Sequence, residues 1–134
     1  MRNQRAEQPL KLDGPEAARI FFADRVSESD PARECLWVAH VDQHGRCLHL
    51  SRHIGDEGST PFPIRSIVAD AARFSSSGVV LAHNHPSGRC QPSRSDCIVT
   101  RRLASTVQAL GCAVLDHLIF ADGRSISFRQ LGLL

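Results

Sequence analysis

Apolar positions along this chain recur at helical spacing in some stretches and fill both faces of a strand in others. The switches between the two patterns mark out the elements. Gly14-Pro15 opens a segment in which Ala18, Phe21, Phe22 and Val26 share one helical face, with proline suited to the first helical position. Ser27–Pro31 breaks it. Glu34–Val41 then reads as a strand apolar on both faces, with Leu36 and Val38 on one side and Cys35, Trp37 and Val41 on the other. Strands of this kind are usually central in a sheet and covered by helices. Asp42-Gln43-His44-Gly45 is a hairpin loop, and Arg46–His53 is the returning strand. Gly55–Thr60 reads as a loop, and Pro61-Phe62-Pro63 leads into a helix over Ile64–Phe74 that ends at Ser75-Ser76-Ser77-Gly78. Val79–Ala82 is a short buried strand, and Asn84–Pro92, rich in proline, glycine and polar residues, is a loop. A long helix from Ser93 to Leu110 ends with Gly111 as a suitable C′ residue. Cys112–Ala121 is another strand, which Asp122-Gly123 turns into Ser125–Phe128.

The order helix, hairpin, helix, strand, helix, hairpin predicts one α/β layered domain over residues 14–134. Residues 1–13 are polar and aperiodic and read as a flexible tail. A length of 134 residues suits a single domain. With 42% apolar and 22% charged residues, the composition excludes disorder, collagen and coiled coil. The net charge of +2 lacks the basic excess usual in a dedicated DNA-binding domain. No apolar run reaches the roughly 18 residues of a membrane span, and Met1–Leu12 shows no signal-peptide core. The cysteines, Cys35, Cys47, Cys90, Cys97 and Cys112, are odd in number and form no C-x-x-C pair. That argues for reduced thiols in a cytoplasmic protein, not a disulfide framework or a cysteine zinc site.

The chemistry concentrates in His83-Asn84-His85-Pro86-Ser87-Gly88 and Pro92-Ser93-Arg94-Ser95-Asp96. His83 and His85 stand two apart at a strand end, so the strand period points both imidazoles the same way. Pro86, Gly88 and Pro92 let the loop fold back, and Asp96, one turn into the next helix, can return as a third ligand. Two histidines and a carboxylate suit Zn²⁺ with a fourth position left to water, whose pKa falls to about 7 in such sites. Glu34, a carboxylate at the mouth of an otherwise apolar strand, is the candidate general base. Ser93 and Asp96 also have ordinary structural readings, as a helix N-cap with a weak capping box and as a first-turn helix acid. Glu34 could instead be an exposed strand-start residue paired with Arg33 or another arginine. His40, His44, His49 and His53 read as surface or strand residues, and Cys90 as a bystander near the site. Arg89, Arg94, Arg101 and Arg102 read as a solvated basic face. The tripeptide is not an HNH nuclease motif, whose residues are spread over a ββα unit. The His-x-Glu and Pro-Cys-x-x-Cys of zinc deaminases do not occur.

Glu34, His83-x-His85, Ser93 and Asp96 at these spacings resemble the motif of the JAMM (MPN+) metalloproteases. The fuller string from His83 to Gly88 with Pro92-Ser93 and Asp96, together with Thr100-Arg101-Arg102-Leu103 and Asp116-His117, resembles the bacterial RadC family. The likeness runs over about residues 15 to 131. It implies a cytidine-deaminase-like three-layer α/β/α fold with a mixed sheet. His83, His85 and Asp96 would be zinc ligands, Glu34 the acid/base, and Ser93 the group that steadies the oxyanion. Asp116 and His117 would be structural or support the ligands. The implied reaction is hydrolysis of a peptide or isopeptide bond in a protein substrate. The alternative is a DNA-repair-associated or protein-interaction module with a structural or vestigial metal site. The helical region that usually precedes this domain has no counterpart before residue 14, so DNA is expected to be a weak partner at most.

Overall fold

The computed structural model describes residues 11–55 and 62–134. The elements are α1 (Pro15–Ser27), β1 (Cys35–Val41), β2 (Cys47–Ile54), α2 (Ile64–Arg73), β3 (Gly78–Asn84), α3 (Arg94–Gln108), β4 (Ala113–Ala121) and β5 (Arg124–Ser127). The strands form one sheet in the order β2-β1-β3-β4-β5. β3 and β4 are parallel, joined across α3, and the other pairs are antiparallel, so the sheet is mixed. The element order is that of the hydrophobic pattern.

Both faces of the sheet are covered, as the doubly apolar β1 and β3 require; every residue of these two strands is buried. On one face, Ala18 and Phe22 of α1 pack with Trp37, Ala39, Val80 and Leu118. On the other, Ile67 and Ala71 of α2 and Leu103 and Val107 of α3 pack with Leu36, Val38, Val79 and Leu81. The result is a three-layer α/β/α domain. No helix among the described residues is long and apolar enough to cross a membrane.

Most element ends differ by one or two residues from the sequence pattern, and two differences have a clear physical reason. β3 runs past Ala82 to Asn84 because His83 is paired on both sides, with Leu36 of β1 and Ile119 of β4. A polar imidazole thus sits inside the ladder, where hydrophobicity alone would end the strand. The N-terminal stretch read as a tail is described only from Lys11. There Lys11 bridges Arg46, Leu12 is buried, and the Leu12 N–H donates to the Gly45 carbonyl at 2.8 Å. The chain is therefore docked two residues before Gly14. The loop read over residues 55–60 lies outside the described residues from 56 onward, as does Pro61.

His40, read as a strand or surface residue, is a fully buried strand residue whose Nδ1 meets Ser76 Oγ at 2.9 Å. Burial pushes its pKa down. His49 stacks on Phe74 with ring centroids 4.3 Å apart. The five cysteines are free thiols, and Cys90 Sγ lies 3.6 Å from the Ala121 carbonyl.

Candidate metal centre

Three element ends converge at one rim of the sheet: the start of β1, the C-terminal end of β3 and the N-terminus of α3. The loop from β3 to α3 turns at once. Gly88 N–H bonds to the His85 carbonyl (3.1 Å), and Gly88 takes φ +86°, a left-handed conformation that favours glycine. Ser93 caps α3 by accepting the Asp96 N–H (2.9 Å), and Asp96 Oδ2 reciprocates on the Ser93 N–H (2.9 Å). This capping box holds the Asp96 carboxylate in the first turn, 2% exposed, facing the end of β3.

The sequence candidates Glu34, His83, His85 and Asp96 come together there. His85 Nε2 lies 3.0 Å from Asp96 Oδ2, and His83 Nε2 lies 3.5 Å from Asp96 Oδ1 and 3.7 Å from Glu34 Oε2. One ligand atom from each of the four falls within 4.8 Å of all the others. His83 is 1% exposed, while the side chains of His85 and Glu34 are 14% and 22% exposed, so the group is open on one side.

Hydrogen bonds around the group assign the tautomers. The Thr100 hydroxyl has one proton, and its 2.6 Å bond to the Asp96 carbonyl uses it. Thr100 Oγ1 must then accept from His117 Nδ1–H, 2.8 Å away. His117 Nε2 is left as an acceptor, and His83 Nδ1–H donates to it at 2.7 Å. Burial holds the pKa of His117 well below the usual histidine value, consistent with this neutral relay. His85 Nδ1–H donates to the Arg89 carbonyl at 2.7 Å. His83 therefore aims an unprotonated Nε2 into this space, while His85 Nε2–H donates to Asp96 Oδ2 at 3.0 Å and would present a second lone pair there once that proton leaves. His83 Nε2 is buried there without a hydrogen-bond partner. Two imidazole nitrogens and two carboxylates in one small volume fit a divalent cation, and the N/O donor set suits zinc.

The electrostatics agree. Burial pushes the Asp96 carboxyl up, but the His83 and His85 imidazoles outweigh it and hold the carboxyl well below the usual carboxylate range. The Asp96 carboxylate raises the pKa of His85, with burial opposing. A proton and a metal thus compete for His85 Nε2, and metal uptake there releases a proton.

His117 sets the orientation of His83 and is itself stacked on Phe128 with ring centroids 4.5 Å apart. His117→Phe keeps the stacking volume and removes the acceptor for His83 Nδ1–H. Zinc affinity is expected to fall roughly 10- to 100-fold, the usual effect of losing such a partner. Competition against a chromophoric chelator measures it, and unchanged affinity would contradict the tautomer relay.

The remaining candidates have other places. Asp116 accepts from Ser127 Oγ (2.6 Å), His117 N–H (2.7 Å) and Arg129 N–H (3.0 Å), which ties β4 to the segment after β5. Arg89, Arg94, Arg101 and Arg102 are exposed. His40, His44, His49 and His53 stand outside the four-residue group. The part played by Thr100 had a sequence signal, since it lies one helical turn after Asp96 on the same face of α3.

The layered fold with this group at the end of β3 defines a domain of the JAB (MPN) type. A family model described as the RadC-like JAB domain matches residues 12–133. The chain belongs to the RadC family, and the match begins at Leu12, the residue that docks the N-terminal stretch.

Proposed function

We propose that this chain is a zinc-dependent hydrolase of the JAMM type that cleaves a peptide or isopeptide bond. The carrying observation is the convergence of Glu34, His83, His85 and Asp96 within 4.8 Å, with the Nε2 atoms of both histidines facing inward and that of His83 buried without a hydrogen-bond partner. The partial exposure of Glu34 and His85 supports a catalytic over a structural metal, because catalysis needs an open coordination position.

His83, His85 and Asp96 would hold the ion. Zinc bound there supplies a Lewis acid that activates water for attack and polarises the amide carbonyl. Glu34 takes a proton from the attacking water and returns it to the amide nitrogen as the C–N bond breaks, giving an amine and a carboxylic acid, which loses its remaining proton to solvent to leave the carboxylate. Ser93 Oγ accepts the Asp96 N–H and keeps its own hydroxyl proton, which it donates to the carbonyl oxygen as negative charge develops. Asp96, buried and capped, keeps its charge and position through the cycle.

A groove of about 820 Å³ runs beside His85, bordered by Ala23 and Val26 of α1 and by Phe120, Gly123 and Arg124 of the β4–β5 hairpin. Its lining, apolar with charged residues of both signs, suits an extended peptide segment leading to the centre. Cleavage of fluorogenic peptide and isopeptide substrates tests the reading. Activity should vanish on zinc removal by a chelator and return with added zinc. Cleavage that survives zinc removal, or a zinc-loaded protein inert across both substrate types, would contradict it.

A further inference from the structure

We infer that Asn84 is a positioning residue for Glu34, an inference that rests on the metal-centre reading above. The β1–β3 backbone register ends at the pair Leu36–His83, one residue short of the rim. Beyond it, the buried Asn84 carboxamide continues the pairing. Its Oδ1 accepts the Cys35 N–H at 2.7 Å, and its Nδ2 donates to the Arg33 carbonyl at 2.8 Å. Those groups belong to the two peptide units on either side of Glu34. Just past the end of β2, Gly55 N–H donates to the Glu34 carbonyl at 3.0 Å, so the peptide unit after Glu34 is gripped from both edges.

The clamp fixes the backbone around Glu34 and therefore the direction of its Cα–Cβ bond. That direction brings Oε2 to 3.7 Å from His83 Nε2. Asn84 lies between the two imidazoles in sequence, so a single tripeptide places both nitrogens directly and the carboxylate through its middle side chain. The chemistry demands a donor and an acceptor on one short, planar group. Aspartate lacks the donor, and alanine lacks both. Because Oδ1 faces an N–H and Nδ2 faces a carbonyl, the amide orientation is unambiguous.

The test uses the full chain loaded with Co²⁺ in place of zinc, read by its visible absorption spectrum, in Asn84→Ala, Glu34→Gln and the double variant. Asn84→Ala should retain one cobalt per chain and shift the band as Glu34→Gln does. The double variant should show no further shift, because Asn84 acts only through Glu34. Asn84→Asp, of the same shape, keeps the Cys35 bond, loses the Arg33 bond and should shift the band partway. A wild-type chain that takes up no cobalt overturns the metal reading and this inference with it. A cobalt-loaded wild type whose band Asn84→Ala and Asn84→Asp leave unmoved overturns the inference alone. So does an Asn84→Ala shift that persists undiminished in the Glu34→Gln background, which is the mark of a merely structural role.

Discussion

Glu34→Gln should lower turnover by roughly 10²- to 10⁴-fold, the usual contribution of a positioned acid/base, while leaving zinc bound. Glutamine keeps the size and polarity of the side chain, so the packing at the start of β1 is retained. What it removes is the carboxylate 3.7 Å from His83 Nε2, the one acid in the group whose oxygens are not tied into a helix cap. The metal measurement separates two roles. Zinc retained with turnover lost assigns Glu34 to proton transfer. Zinc lost with Glu34→Gln assigns it to the ligand set instead. Turnover unchanged would remove Glu34 from the chemistry.

The second large effect concerns His83 and His85 together. Replacing both with alanine removes the two inward-facing Nε2 atoms and leaves Asp96 as the only firmly held ligand. Zinc that binds the folded chain stabilises it by about 2.7 kcal/mol at a hundredfold excess over Kd, and the double variant should lose this stabilisation entirely. In thermal unfolding, wild-type Tm should rise with added zinc while Tm of the double variant stays flat. A Tm rise of equal size in both would place the binding elsewhere. Asp96 in the variant still accepts the Ser93 N–H, so α3 keeps its cap and the fold should survive the substitution.

The layers were readable in the chain because burial leaves a direct trace. Leu36 and Val38 against Cys35, Trp37 and Val41 announced a strand covered on both faces, and the two cores divide along that line. The convergence of Glu34, His83, His85 and Asp96 was readable because such residue types are costly to bury without a use and their spacing follows the strand and helix periods. The supporting layer was much less so. The place of Thr100 one turn after Asp96 follows the helix period, but its partner His117 lies 17 positions away, and the partners of Asn84 lie 49 and 51 positions away, which no local period encodes. The end of β3 was misplaced for a related reason: the ladder partners of His83 come from β1 and β4, and hydropathy does not register backbone pairing.

The central claim is that His83, His85 and Asp96 form a zinc site. It is tested most directly by metal analysis of protein purified without metal-affinity resin, wild type beside the His83→Ala/His85→Ala variant. The account predicts one zinc per chain in the wild type and background zinc in the variant. Near-zero zinc in the wild type, or zinc that persists in the variant, would contradict it.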